Sequence, residues 1–194
     1  MDILKDIDLV IFDFDGTIAD LDINWAQLRQ SLKIDESQKI GDVIQDYAVT
    51  DHPNLAIVSE AEISGLKNNG LRQTATKVIS QLVEEGYKVA IFTRNSRKVV
   101  ELALMSTSFR GKLKIVGRED VLLLKPNPQG IHMLMESSKA QPNKTVLIGD
   151  TYHDIESAHS AGVRSVIVHN LRNDYQPQGA DYYIDDLSQL IEPK

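Results

Sequence analysis

The sequence predicts an α/β protein, a doubly wound parallel sheet with a small α-helical cap inserted after the first strand. Three observations point that way. Short apolar runs recur at Leu9-Val10-Ile11-Phe12, Val89-Ala90-Ile91-Phe92, Val146-Leu147-Ile148 and Ser165-Val166-Ile167-Val168. They are continuous, not alternating, as strands covered on both faces of a parallel sheet read. Helical spacing fills the intervals between them, and strands alternating with helices imply parallel crossover units. Between residues 21 and 70 the alternation stops, because no strand-like run occurs there and the apolar residues fall only at helical spacing.

Taken in order, the first run ends abruptly in charge, at Asp13-Phe14-Asp15-Gly16-Thr17. The insertion follows. Trp25, Leu28 and Leu32 make one stripe, Ile40, Val43, Ile44 and Tyr47 a second, and Leu55, Val58 and Ile63 a third with Pro53 near its start. Asn68-Asn69-Gly70 closes the segment. Leu71, Ala75, Val78, Ile79 and Leu82 recur at i, i+3, i+4 and predict a helix that Gly86 ends. The next strand turns polar at Thr93-Arg94-Asn95-Ser96, and Val146-Leu147-Ile148 runs into Gly149-Asp150. A helix over Tyr152–Ala161 stops at Gly162 before the fourth run. The expected division is a Rossmann-like core of residues 1–20 and 71–194 and a helical cap of residues 21–70.

Composition bounds the function. A chain of 194 residues, 42% apolar, can bury a core. Without cysteine it has neither a disulfide nor a thiolate metal site, in keeping with a reducing cytoplasm. Met1-Asp2-Ile3-Leu4-Lys5 lacks the pattern of a signal peptide, and no apolar stretch is long enough to span a bilayer, so a cytoplasmic protein without membrane contact is expected. The formal charge of −7, with no basic cluster, argues against nucleic acid as a partner. An anionic substrate would need a local cation.

In open α/β sheets ligands bind outside the carboxyl ends of the strands. Asp13, Asp15, Thr93 and Asp150 all sit at such ends, so folding gathers three carboxylates and a hydroxyl from distant parts of the chain. Two carboxylates about 4 Å apart repel by roughly 4 kcal/mol at an effective dielectric near 20. A bound cation or protonation of one carboxylate resolves this. An all-oxygen set without His or Cys favours Mg²⁺. In Leu124-Lys125-Pro126-Asn127-Pro128 the residue before Pro126 is pushed out of the helical region, and Asn127 can cap a helix with Pro128 in its first turn. That holds the Lys125 ammonium where it could bridge Asp13 and a phosphate oxygen. Singly, each residue has an ordinary use: Asp caps turns and helices, Asp154 suits a helix first turn, and a lone Lys or Thr is a common surface group. The conjunction, in order along the chain, is what argues for chemistry.

Asp13-Phe14-Asp15-Gly16-Thr17 resembles the first motif of the haloacid-dehalogenase-like superfamily. Thr93 resembles the second, Lys125 within Lys-Pro-Asn-Pro the third, and Gly149-Asp150-Thr151-Tyr152-His153-Asp154 the fourth. The stretch Gly179–Leu187 is similar to the last strand and helix of the phosphoglycolate-phosphatase-like branch. The resemblance implies a phosphatase acting on a small phosphorylated metabolite, with Asp13 as nucleophile and Asp15 as general acid and then base. It also implies that Thr93 contacts a phosphate oxygen and that Lys125 stabilises the nucleophile. Asp13, the backbone carbonyl of Asp15, and Asp150 would hold Mg²⁺, with Asp154 acting from behind them. Many relatives place Asn directly after the second-motif Thr; here Arg94 intervenes and Asn95 follows, leaving Thr93, Arg94 and Asn95 as candidate phosphate contacts. A phosphomutase, or a binding or regulatory protein on the same fold, is the alternative. A dehalogenase fits less well, since a halide needs no proton from Asp15. Within the insertion, expected to act as a mobile lid, Trp25 and Arg29 share a helix face and are candidate substrate contacts, unless Trp25 simply fills the core.

Overall fold

The computed structural model describes residues 3–170, 172 and 176–191, without the side chains of residues 67–69. In chain order the elements are β1 (Leu9–Phe12), α1 (Trp25–Leu32), α2 (Ile40–Val49), α3 (Leu55–Asn69), α4 (Gln73–Glu84), β2 (Lys88–Phe92) and α5 (Arg97–Ala103). Then follow β3 (Lys114–Val116), α6 (Gln129–Ser138), β4 (Thr145–Gly149), α7 (Tyr152–Ala161), β5 (Arg164–Val168) and β6 (Tyr182–Ile184). The six strands are all parallel, in the order β3-β2-β1-β4-β5-β6. The chain works outward from β1 to β3 and then crosses back to β4. The switch point therefore falls between β1 and β4, where a crevice opens beyond the strand ends.

Continuous apolar strands follow from that layering. Leu9, Val10, Ile11 and Phe12 are fully buried, as are Phe92, Val146 and Ile148, because helices cover both faces. The helix before β2 begins at Gln73, two residues later than its apolar spacing suggests. Leu71 instead bridges antiparallel to Ala19, while Ala75, Val78, Ile79 and Leu82 form the buried face. Gly86, at φ +89°, follows the helix end as expected. Two elements differ from the sequence reading. The edge strand β3 escapes a periodicity search because it has three residues, one of them the exposed Lys114. The stretch after β6 makes only a 3₁₀ turn, Leu187–Leu190, where a helix was expected.

Helices α1–α3 stand between β1 and α4. Leu28, Leu32, Ile44 and Val58 are their buried apolar contribution. Trp25 is not core: it is 50% exposed, since it opens α1 and the stripe is filled by Leu28 and Leu32. The segment leaves and rejoins the sheet at one place, through the Ala19–Leu71 bridge and the Asp20 N–H to Gly70 carbonyl bond of 3.4 Å. Arg72 clamps that point with a bidentate pair to Asp20, at 2.8 and 2.9 Å.

Candidate active site

Asp13 is the first residue past β1, and its N–H continues the ladder to β4 by donating to the Ile148 carbonyl at 2.8 Å. Asp150 stands just past the neighbouring β4. Two glycines make the approach possible. Gly16 has φ +89°, and a Cβ there would meet Asp150 Oδ2 at 2.3 Å; a Cβ on Gly149 would strike the Asp154 carboxyl at 2.2 Å. Lys125, in the loop before α6 and joined to Pro126 by a cis peptide bond, is 3% exposed. Its Nζ donates to Asp13 Oδ1 and to Asp154 Oδ1, both at 2.6 Å. The other Asp154 oxygen accepts from the Thr151 N–H and hydroxyl, closing the capping box of α7. Thr17 and Asn170 donate to Asp150 at 3.4 and 2.7 Å. One detail of the loop departs from its sequence reading. Pro128 occupies the cap position itself and α6 starts at Gln129, whose N–H the Asn127 side chain accepts at 2.9 Å.

Asp13, Asp150 and Asp154 each present an oxygen within 4.8 Å of the others, all buried. One ammonium cannot neutralise three carboxylates. Burial first, opposed by Lys125 but aided by Asp154 and Asp150, pushes the Asp13 pKa up to about 8. Burial opposes ionisation of Asp154 too, but the Lys125 charge and the Thr151 hydrogen bonds outweigh it and hold its pKa below the ordinary value. Lys125 is disfavoured by burial and favoured more strongly by its two acids, so its pKa is raised. An uncompensated, all-oxygen, buried acidic cluster fits a hard divalent cation. Asp13 and Asp150, with the Asp15 carbonyl, would hold it. Asp154, whose oxygens are already engaged, would support it from behind.

The raised pKa of Asp13 has a measurable sign. In the metal-free protein this group binds its proton more tightly folded than unfolded. Its contribution to stability is present below about pH 4 and is lost progressively as the pH rises to about 8. Thermal melts without metal should show that decline, and 5–10 mM Mg²⁺ (on the order of a weak-site concentration) should raise the melting temperature more at pH 8 than at pH 5. An equal rise at both would remove the cation from this cluster.

The loop after β2 carries the remaining candidates. Thr93 is 1% exposed; its hydroxyl donates to Asn95 Oδ1 at 2.8 Å and accepts the Asn95 N–H at 3.1 Å. Asn95 Nδ2 in turn donates to Glu62 of α3 at 3.0 Å. Glu62 also accepts the Ser96 N–H and both Nη groups of Arg118, the last at 2.9 and 3.2 Å. This ion pair is sealed from solvent, with side chains 4% and 1% exposed. Arg94 takes another direction: Nη2 donates to the Gly41 carbonyl of α2 at 3.0 Å, and Nη1 lies 3.4 Å from His153 Nε2. Asp15 accepts from the Leu21 N–H at 2.9 Å and from Arg172 Nη2 at 2.8 Å.

The fold thus draws Asp13, Lys125, Asp150 and Asp154 into one cluster, with Asp15, Thr93, Arg94 and Asn95 on the loops around it. It does not draw in the other two candidates. Arg29 donates to the Asp35 and Gln38 carbonyls, bracing the α1–α2 turn, and among the described residues no hydrogen bond or ion pair joins Trp25 or Arg29 to the cluster. Glu62, Arg118, Asn170 and Arg172 were not foreseen. Asn170 was within reach of the strand-end logic, as the polar residue two past β5. Arg118 follows a strand too short to see.

Residues 42–168 match the family model of the haloacid dehalogenase-like hydrolases, and the chain belongs to that family. Two curated relatives are pyrophosphatases PpaX of Bacillus. That of B. mycoides is 29% identical over 126 residues, spanning 61% of this chain but only 57% of the relative. That of B. cereus is 28% identical over 167 residues, 82% of this chain and 70% of the relative. The crystal structure of a haloacid dehalogenase-like hydrolase of Bacteroides fragilis superposes with a TM-score of 0.71 at 22% identity, covering 95% of this chain and all of that one. At that identity the likeness speaks for the fold. No helix among the described residues is long and apolar enough to cross a membrane.

Proposed function

We propose that this protein is a Mg²⁺-dependent phosphatase that takes the phosphoryl group of a small phosphorylated metabolite onto Asp13. The observation that carries it is the buried Asp13–Lys125–Asp154 chain beside Asp150, at the switch point of the sheet. Asp13 Oδ attacks phosphorus, the phosphorus–oxygen ester bond breaks, and the leaving oxygen takes a proton from Asp15. A water then attacks the aspartyl-phosphate, Asp15 accepts its proton, and inorganic phosphate leaves with Asp13 restored. Lys125 fixes the attacking oxygen, and the Thr93 hydroxyl is placed for a phosphate oxygen once it turns from Asn95. Bound Mg²⁺ supplies the positive charge that keeps Asp13 ionised and lets it approach an anionic phosphate.

Residues 21–70 act as a cap over this site, supported by the contacts of Gly41 with Arg94 and of Glu62 with Asn95. A hinge motion of the whole segment would break the sealed Glu62–Arg118 pair, so any opening of this cap would have to break and remake that ion pair. The Bacillus relatives, named pyrophosphatases, favour a second reading in which the leaving group is itself a phosphate.

A leaving-group series tests the acid–base role. Asp15→Asn should lose about 10²–10⁴-fold on alkyl phosphates, as general acid catalysis typically contributes, and distinctly less on nitrophenyl phosphate, with both activities absent in EDTA. Equal losses across the series, or turnover in EDTA, would count against the mechanism.

A further inference from the structure

Among the described residues, Arg94 is a cation set into the site without an acid of its own. It belongs to no ion pair there; its guanidinium meets the Gly41 carbonyl and one ring nitrogen of His153. The packing is close, since a Cβ on Gly41 would stand 3.3 Å from Arg94 Nη2. Burial lowers its pKa, and the charges of Asp13, Asp42 and Asp154 oppose the shift. His153 does not compete for that role. Its Nε2 stands 3.4 Å from Arg94 Nη1, where the ring can share an anion by one hydrogen bond.

The other polar groups near the site have other work. Asn95 is held by Glu62 and Thr93, and Lys125 is divided between Asp13 and Asp154. Direction separates the two ends of a substrate. In an in-line displacement the leaving oxygen lies opposite Asp13, away from the strand ends and toward helices α1–α3. Arg94 reaches that side through the Gly41 carbonyl at the start of α2.

We infer that Arg94, with His153 beside it, grips a second anionic group on the leaving side of the substrate, so that the preferred substrates are phosphate compounds whose leaving group carries its own negative charge close to the scissile bond. A diphosphate suits the guanidinium fork best, because two N–H groups can meet two phosphate oxygens; a carboxylate offers the same geometry at lower charge. When the phosphorus–oxygen bond of a diphosphate breaks, the electron pair stays on the departing phosphate, next to Arg94. This rests on the phosphatase reading above and deepens it.

The test compares Arg94→Ala and Arg94→Lys with the unaltered protein, in Mg²⁺, on pyrophosphate, on a carboxylate-bearing phosphate ester and on phenyl phosphate. In the Arg94 variants kcat/KM should fall at least about tenfold more for the two charged leaving groups than for phenyl phosphate, a differential worth one buried charge-assisted contact. Lysine should recover part of it. Imidodiphosphate, added as a competing diphosphate, should inhibit phenyl phosphate hydrolysis at least about tenfold less well in Arg94→Ala. Pyrophosphate and carboxylate arms rank the two anions. Equal losses on all three substrates, or unchanged inhibition by imidodiphosphate, overturn the Arg94 assignment and leave the phosphatase standing. Absence of turnover by the unaltered protein on every substrate overturns the phosphatase reading itself. If Arg94→Ala is poorly folded, Arg94→Gln with the same inhibition measurement decides.

Discussion

Replacing Asp13 by Asn will reduce Mg²⁺-dependent phosphate release by at least about 10⁴-fold, the scale on which removal of a covalent nucleophile acts. The fold should survive. Asn keeps the shape and can still accept from Lys125, and the change removes a charge that is already disfavoured: burial, Asp150 and Asp154 all press against ionised Asp13. Without metal the variant should melt no lower than the parent at pH 8, where burial and the neighbouring acids make the parent's carboxylate costly to ionise. Phosphate release in a malachite-green assay and thermal melts at pH 8 check the two halves separately. Retained turnover would remove Asp13 from the chemistry, while loss of turnover together with the fold would leave the change without bearing on the nucleophile.

The second large effect concerns stability. Glu62→Ala leaves Arg118 buried with no countercharge and strips the acceptor from the Asn95 side chain and the Ser96 N–H. Breaking a buried pair from one side costs about 3–5 kcal/mol, which for a chain of this length lowers the melting temperature by about 6–20 °C. Arg118 is already imperfectly served, for its Nε is buried without a partner. Exchanging both residues together, Glu62→Met with Arg118→Leu, should therefore recover most of the loss, because apolar packing frequently matches a sealed ion pair. A melt of the double variant as low as the single one would assign the cost to packing and not to charge. Since Asn95 braces Thr93, Glu62→Ala should also raise KM for any phosphate substrate.

The strands that build the crevice were legible because each is apolar throughout and ends in a polar residue, which locates it and its carboxyl end at once. Asp13 and Asp150 could be named for the same reason, Lys125 from its proline-flanked loop, and Asp154 from the resemblance of its motif. What could not be read is the pairing of elements that periodicity does not connect. Glu62 looks from sequence like any polar residue of an amphipathic helix, and Arg118 like a turn residue; only the docking of α3 on the β2 loop makes them partners. Arg172 likewise reaches Asp15 across 157 positions. Trp25 illustrates the opposite error. Spacing put it on a buried stripe, but a stripe says which residues share a face, not how far the covering neighbour extends along it.

The single doorway through which residues 21–70 leave and rejoin the core bears on how such proteins diversify. With Ala19 bridged to Leu71 and Asp20 bonded to Gly70, the two cut points already touch, so a foreign segment of another length can be spliced in without altering the register of any strand. The Arg72–Asp20 clamp lies on the core side of the cut and would stay behind. What would not transfer freely is the acid at Glu62. A donor segment must bring a carboxylate to meet Arg118, or the recipient must give up that arginine, and the contacts of Gly41 with Arg94 and of Gln45 with the Leu124 N–H would have to be matched as well.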